Sequence, residues 1–114
     1  MKPEIKAKWV KALRSGEYEQ AKKYLRTPDG FCCLGVLCDL HAKETGNKWS
    51  EDGAYLDDKT HVPQLVCDWS GLVRGGSIEI VVGKNKTWLT DHNDGLNTTP
   101  RTFKEIADAI EAQL

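Results

Sequence analysis

No apolar run in this chain approaches the roughly 18 residues needed to cross a bilayer. The amino-terminal stretch MKPEIKAKWVKALRSG is basic and amphipathic, without the continuous apolar segment and small-residue cleavage site of a signal peptide. A cytoplasmic protein is therefore expected, in a reducing compartment where structural disulfides are rare. No repeat or low-complexity tract is present. There is no Gly-rich phosphate motif of the P-loop or dinucleotide type, and no Ser-centred nucleophile elbow, HExxH or deaminase signature. These absences disfavour a conventional cofactor enzyme, and no cofactor is expected. An EF-hand is excluded, because no loop carries alternating oxygen ligands over twelve positions with a closing Glu.

What is present fits one domain spanning residues 1–114. Apolar residues make up 39% and charged residues 29%, ordinary for a globular chain with a single core. The net charge is only −1, but it is unevenly spread. Residues 1–26 hold eight Lys/Arg against three Glu, and the rest holds eight basic against fourteen acidic residues. The basic segment reads either as solvated helix faces or as a lip attracting an anionic ligand. Duplex DNA is not the expected partner, since such domains are basic throughout.

Pro3 suits a first helical turn, and Ile5, Trp9, Ala12 and Leu13 then share one face before Gly16. A second helix is expected from Glu17 to Leu25, with Tyr18, Ala21 and Leu25 inward. Thr27-Pro28-Asp29-Gly30 reads as a turn. The run FCCLGVLCDL, residues 31–40, opens an element extending to Thr45, long enough for a buried helix, with Gly46 ending it. Lys48–Ser50 and Ala54–Leu56 flank Asp52-Gly53 as a candidate hairpin. A short helix follows from Val62-Pro63-Gln64 to Trp69, stopped by Gly71. Gly75-Gly76 is a break, and Ser77–Val82 is a β-branched strand returning through a Gly83–Lys86 turn to Thr87–Leu89. Asp91–Arg101 is a polar loop. Thr102 with Glu105 is a capping box for a closing amphipathic helix bearing Phe103, Ile106, Ala107, Ile110 and Leu114. The predicted fold is α+β: amino-terminal helices, a buried Cys-rich helix, two short antiparallel hairpins and a carboxy-terminal helix.

Three of the four cysteines fall in that central run. Zinc sites use paired ligands, and Cys32, Cys33, Cys38 and Cys67 are not so spaced. On a helix Cys33 and Cys38 point roughly 140° apart. Cys38, His41 and Cys67 would leave a tetrahedron incomplete, so no metal is expected. A nucleophilic thiolate needs a base or cation beside it, and no motif supplies one. The cysteines are best read as small buried hydrophobes, with Gly35 allowing another backbone to come close.

Asp91-His92-Asn93-Asp94-Gly95 is the other dense cluster. It is either a turn bonding its own backbone or a functional loop, with Asp91, His92 and Asp94 as acid/base or cation-holding groups. Trp9 belongs to a helix face. Trp49, Trp69 and Trp88 lie near short β elements, where each either packs or stacks on a planar ligand.

Several segments together carry a resemblance: Trp9 to Gly16 (WVKALRSG), Tyr18 and Gln20, Cys32 to Asp39 (CCLGVLCD), Asn93-Asp94, and Phe103 to Ile110 (FKEIADAI). Over nearly the whole chain, most weakly at 44–90, this pattern resembles a family of small phage and prophage proteins. The resemblance implies an accessory protein in the cytoplasm of a bacterial host, of the kind that counters host defences. The expected function is non-enzymatic: binding and sequestering a small anionic nucleotide signal of the cyclic dinucleotide or ADP-ribose type. The candidate ligand-binding residues are Arg14, whose planar fork suits phosphate, Tyr18, Gln20, Asn93 and Asp94 for polar edges, and Trp88 for stacking. A homodimer is expected, since a small chain needs a second copy to build a deep pocket. The alternatives are a hydrolase of such a signal using Asp91, His92 and Asp94, and a module that blocks a host protein.

Overall fold

The computed structural model describes residues 1–72, 78–96 and 98–114. Helix α1, Pro3–Arg14, begins with proline in its first turn and buries Ile5, Trp9, Val10 and Leu13. Trp9 is fully enclosed, and its Nε1 donates to the Cys33 carbonyl at 2.9 Å, tying α1 to the centre of the molecule.

The expected helix from Glu17 to Leu25 does not form. The chain runs extended and irregular, because its backbone groups are used across the fold. Ala21 N donates to Phe31 O at 2.7 Å and Phe31 N to Glu19 O at 2.9 Å. Leu25 N donates to Lys59 O at 2.7 Å, and Lys23 takes the left-handed φ of 73°, incompatible with a helix. The inward residues are nevertheless placed as expected: Ala21 and Leu25 are buried, and Tyr18 packs against the core.

Strands β1 (Arg26–Thr27) and β2 (Gly30–Phe31) form a small antiparallel hairpin around Pro28-Asp29. It leads into α2, Cys33–Thr45, which is the axis of the core. Cys32 caps α2 by accepting from Gly35 N through its sulfur, and Gly46 closes it in the left-handed conformation. Every residue from Cys32 to Cys38 is buried, a helix apolar on most sides.

The first of the two expected hairpins, around Asp52-Gly53, is replaced by a turn. Ser50 N donates to Ala54 O at 2.9 Å, but Leu56 and Asp57 then adopt positive φ and swing the chain away. Helix α3, Gln64–Ser70, ends at Gly71 as its sequence indicates. The Gly75-Gly76 break and Ser77 lie outside the described residues. Strands β3 (Glu79–Val82) and β4 (Asn85–Trp88) pair antiparallel. Because Val82 faces Asn85, their turn is the two residues Gly83-Lys84, shorter than expected; Gly83 has a φ of 62°.

The polar loop from Asp91 is also revised. Residues Leu89–Asp94 form a short helix, α4, which buries His92 and Asn93. Helix α5, Phe103–Gln113, carries the complete Thr102–Glu105 capping box and buries its apolar face against α1 and β3. The result is one compact α+β core with α2 at its centre.

Candidate functional site

The sequence-predicted residues divide into separate groups. Arg14, on the last turn of α1, is bound by two carboxylates one turn apart on α5. Its Nη1 lies 3.0 Å from Glu111 Oε2, and its Nη2 donates to Asp108. These hydrogen bonds raise the Arg14 pKa and lower that of Glu111. The guanidinium fork therefore clamps α1 to α5.

Gln20, Asn93 and Asp94 do converge, but on the backbone of their own chain. Asn93 is 1% exposed. Its Oδ1 accepts from Cys33 N at 3.2 Å and from Gln20 Nε2 at 3.0 Å, and its Nδ2 donates to Ala21 O at 2.9 Å. Gln20 also donates to Arg101 O and accepts from Phe103 N. Asp94 accepts from Lys23 N at 3.0 Å. This network fastens the irregular 17–25 segment to α2, α4 and the start of α5. His92 is fully buried, with Nε2 2.9 Å from Ile80 O, while Asp91 accepts from the Thr87 hydroxyl. The Asp91-to-Asp94 cluster is thus built into the fold, with its imidazole closed to solvent.

The four cysteines are free thiols and all are buried. Burial pushes the Cys32 thiol up to about 11 and those of Cys33 and Cys38 well above the ordinary value. A thiol so protonated is a poor nucleophile. Among the described residues no three His, Cys, Asp or Glu side chains are grouped to hold a metal ion.

Tyr18 leads to the most developed surface of the molecule. Its hydroxyl donates to Asp39 Oδ2 at 2.5 Å and accepts from Lys43 at 3.0 Å. Burial, and next the Asp39 hydrogen bond, raise the phenol pKa. Asp39 Oδ1 accepts from Trp49 Nε1 at 3.0 Å, so one carboxylate of α2 fixes both rings. Phe31 stands edge-on between them, its centroid 5.1 Å from Tyr18 and 5.7 Å from Trp49. The Arg26 guanidinium lies over this array, 5.4 Å from the Phe31 centroid and 5.6 Å from Trp49.

Arg26 and Trp49 line a cleft of about 480 Å³ between the Thr27-Pro28 turn and residues 50–53. That volume suits a small ligand. A second hollow of about 300 Å³ adjoins it, sharing Arg26 and Asp52 and adding Tyr24, which is 48% exposed, and Lys59. Asp52 is held at about 2 by hydrogen bonds from the Ser50 hydroxyl and from Lys59, whose Nζ lies 3.0 Å away. Among the described residues the Arg26 side chain makes no hydrogen bond or ion pair, so its planar set of donors is unused. Trp88 is 47% exposed on β4 and lines neither hollow.

Sequence reasoning weighed the basic segment and Trp49 but missed Arg26. The signal was its position: the last cation of the basic stretch, directly before the Thr27-to-Gly30 turn.

Behind Trp49, Tyr55 Oη lies 2.6 Å from His41 Nδ1. Burial lowers the His41 pKa, opposed in part by Glu44. The unfolded chain therefore binds a proton more readily than the native one. Stability present above the unfolded value, about 6.5, is lost as pH falls through the lowered native value. Thermal melts of wild type and His41→Gln from pH 7 to 5 check this: the wild type loses more stability on acidification.

The whole chain, residues 1–114, matches the family described as "Domain of unknown function (DUF8296)", and the chain belongs to that family. No curated protein and no solved structure matches it. Among the described residues no helix is long and apolar enough to cross a membrane.

Proposed function

We propose that this chain is a non-enzymatic binding protein for a small anionic ligand with a planar ring, of the nucleotide class, held in the Arg26–Trp49 cleft. One observation carries the reading: an arginine stacked on aromatic rings, its side-chain donors without a partner among the described residues, at the rim of a ligand-sized cleft. Arg26 supplies bidentate hydrogen bonds to a phosphate, and stacking limits the rotamer freedom it loses on binding. Trp49, fixed by Asp39, supplies the ring surface. Lys59 adds a second cation at the adjoining hollow, although Asp52 offsets it. Taken with the likeness to phage and prophage proteins, the role is sequestration of a nucleotide signal in a host cell, and a homodimer remains the proposed assembly.

Calorimetric titration with cyclic dinucleotides and cyclic ADP-ribose isomers tests the reading. Binding at tens of micromolar or tighter is expected, with the nucleotide recovered intact on chromatography. Arg26→Ala, checked for native circular dichroism, is expected to weaken binding by roughly 10- to 100-fold, the worth of a charge-assisted pair. No binding to any member of the panel, or binding indifferent to Arg26, sinks the proposal. A new product would replace sequestration with cleavage.

A further inference from the structure

The cleft holds a second unused group, of opposite charge. Glu51 lines it together with Arg26 and Trp49, and lies two residues from Trp49 in the same turn. The side chain is exposed, and among the described residues it makes no hydrogen bond or ion pair. Its neighbour Asp52 is engaged by Lys59 and Ser50. An arginine and a glutamate thus share one cleft without neutralising each other. A ligand complementary to both needs an anionic end for Arg26 and a donor-bearing end for Glu51, with a flat body against Trp49.

We infer that the ring bound against Trp49 is guanine, read by Glu51 while Arg26 takes the phosphate; this rests on the nucleotide reading above. An ionised carboxylate only accepts hydrogen bonds, and its two oxygens accept best from two adjacent parallel donors. Among the common bases, guanine alone offers that pair on its Watson–Crick edge, N1–H beside the N2 amino group. Adenine and cytosine set an acceptor beside their amino group, and uracil flanks its single N–H with acceptors, so each turns a lone pair toward the carboxylate. Glu51 and Trp49 line the same cleft two residues apart, which puts a carboxylate and a ring within the reach of one nucleotide. The acidity of the cleft, which would only weaken a site for phosphate alone, becomes the source of base selectivity.

The test uses the full chain and three probes: guanosine, inosine and adenosine 5′-monophosphates. Inosine keeps N1–H and lacks the amino group. Guanosine monophosphate is expected to bind about tenfold tighter than inosine monophosphate, and tighter again than the adenosine form, the size of one or two charge-assisted hydrogen bonds. Glu51→Gln is expected to weaken the guanine nucleotide by about tenfold or more and to remove its advantage over adenosine monophosphate, whose affinity does not fall. Arg26→Ala weakens all three alike. Equal binding of the three nucleotides, still dependent on Arg26, overturns guanine selectivity and leaves the nucleotide reading standing. A guanine preference that survives Glu51→Gln overturns the role of Glu51. Absence of binding by all three and by the cyclic panel overturns both readings.

Discussion

Gly35→Ala is expected to cost the protein a large part of its stability. A Cβ at this position would lie 1.8 Å from the Leu25 carbonyl oxygen and 2.7 Å from its carbon. Those are backbone atoms, and neither partner can retreat easily. Gly35 sits in the buried first turns of α2, and Leu25 is anchored by Leu25 N to Lys59 O at 2.7 Å and Cys32 N to Leu25 O at 3.2 Å. In an exposed helix the same change stabilises by roughly 0.5–1 kcal/mol, because alanine is the better helix former. Here overpacking against fixed backbone costs about 3 kcal/mol or more. A domain of this size commands only about 5–15 kcal/mol in total. Urea denaturation compares the two proteins directly. A variant as stable as the wild type would mean that α2 and the 17–25 segment do not meet at Gly35.

Asn93→Ala is expected to be the most damaging change among the polar residues. The side chain ties α4 to two parts of the molecule distant in sequence: Cys33 on α2, and Gln20 and Ala21 in the irregular segment. Alanine strands the buried Cys33 N–H and the Ala21 carbonyl, and each such group costs roughly 1–3 kcal/mol when left without a partner. About 3 kcal/mol is the expected loss. Gln20→Ala removes fewer enclosed groups, because Gln20 is only half-buried, and costs less. In the double variant the losses fall short of additive, since the two side chains bond each other. A loss below about 1 kcal/mol for Asn93→Ala would show that water replaces the amide.

These two positions show how differently sequence and structure contributed. Gly35 was legible: a glycine inside an apolar run implies close approach of another backbone, though not that the partner is Leu25. Asn93 was singled out for the wrong environment. Four polar residues before a glycine look like a solvent-facing turn, yet α4 turns Asn93 and His92 inward, where tertiary partners satisfy the Asn93 amide and His92 Nε2 meets Ile80 O. Tyr18, Ala21 and Leu25 are spaced as on a helix, and they are inward; only the conformation connecting them differs. Arg14 and Arg26 invert in the same way. Both are arginines of one basic segment, and what separates them is whether carboxylates of a distant helix reach them. Asp108 and Glu111 reach Arg14, whereas Arg26 meets aromatic rings.

The sequence by itself determined what local chemistry controls. Pro3, Gly46, Gly71 and the Thr102–Glu105 box set helix ends, because caps and positive-φ positions act on adjacent backbone. The apolar density of residues 32–38 made α2 the core and kept its thiols protonated. Tertiary structure alone decided the path of residues 17–25, the inward turn of Asn93 and the cleft. Arg26 and Trp49 come from opposite sides of α2 in the sequence, and their meeting depends on long-range hydrogen bonds and on one carboxylate, Asp39, that orients Trp49. No local periodicity encodes such a meeting, because its energy arises only when the chain has closed around its central helix.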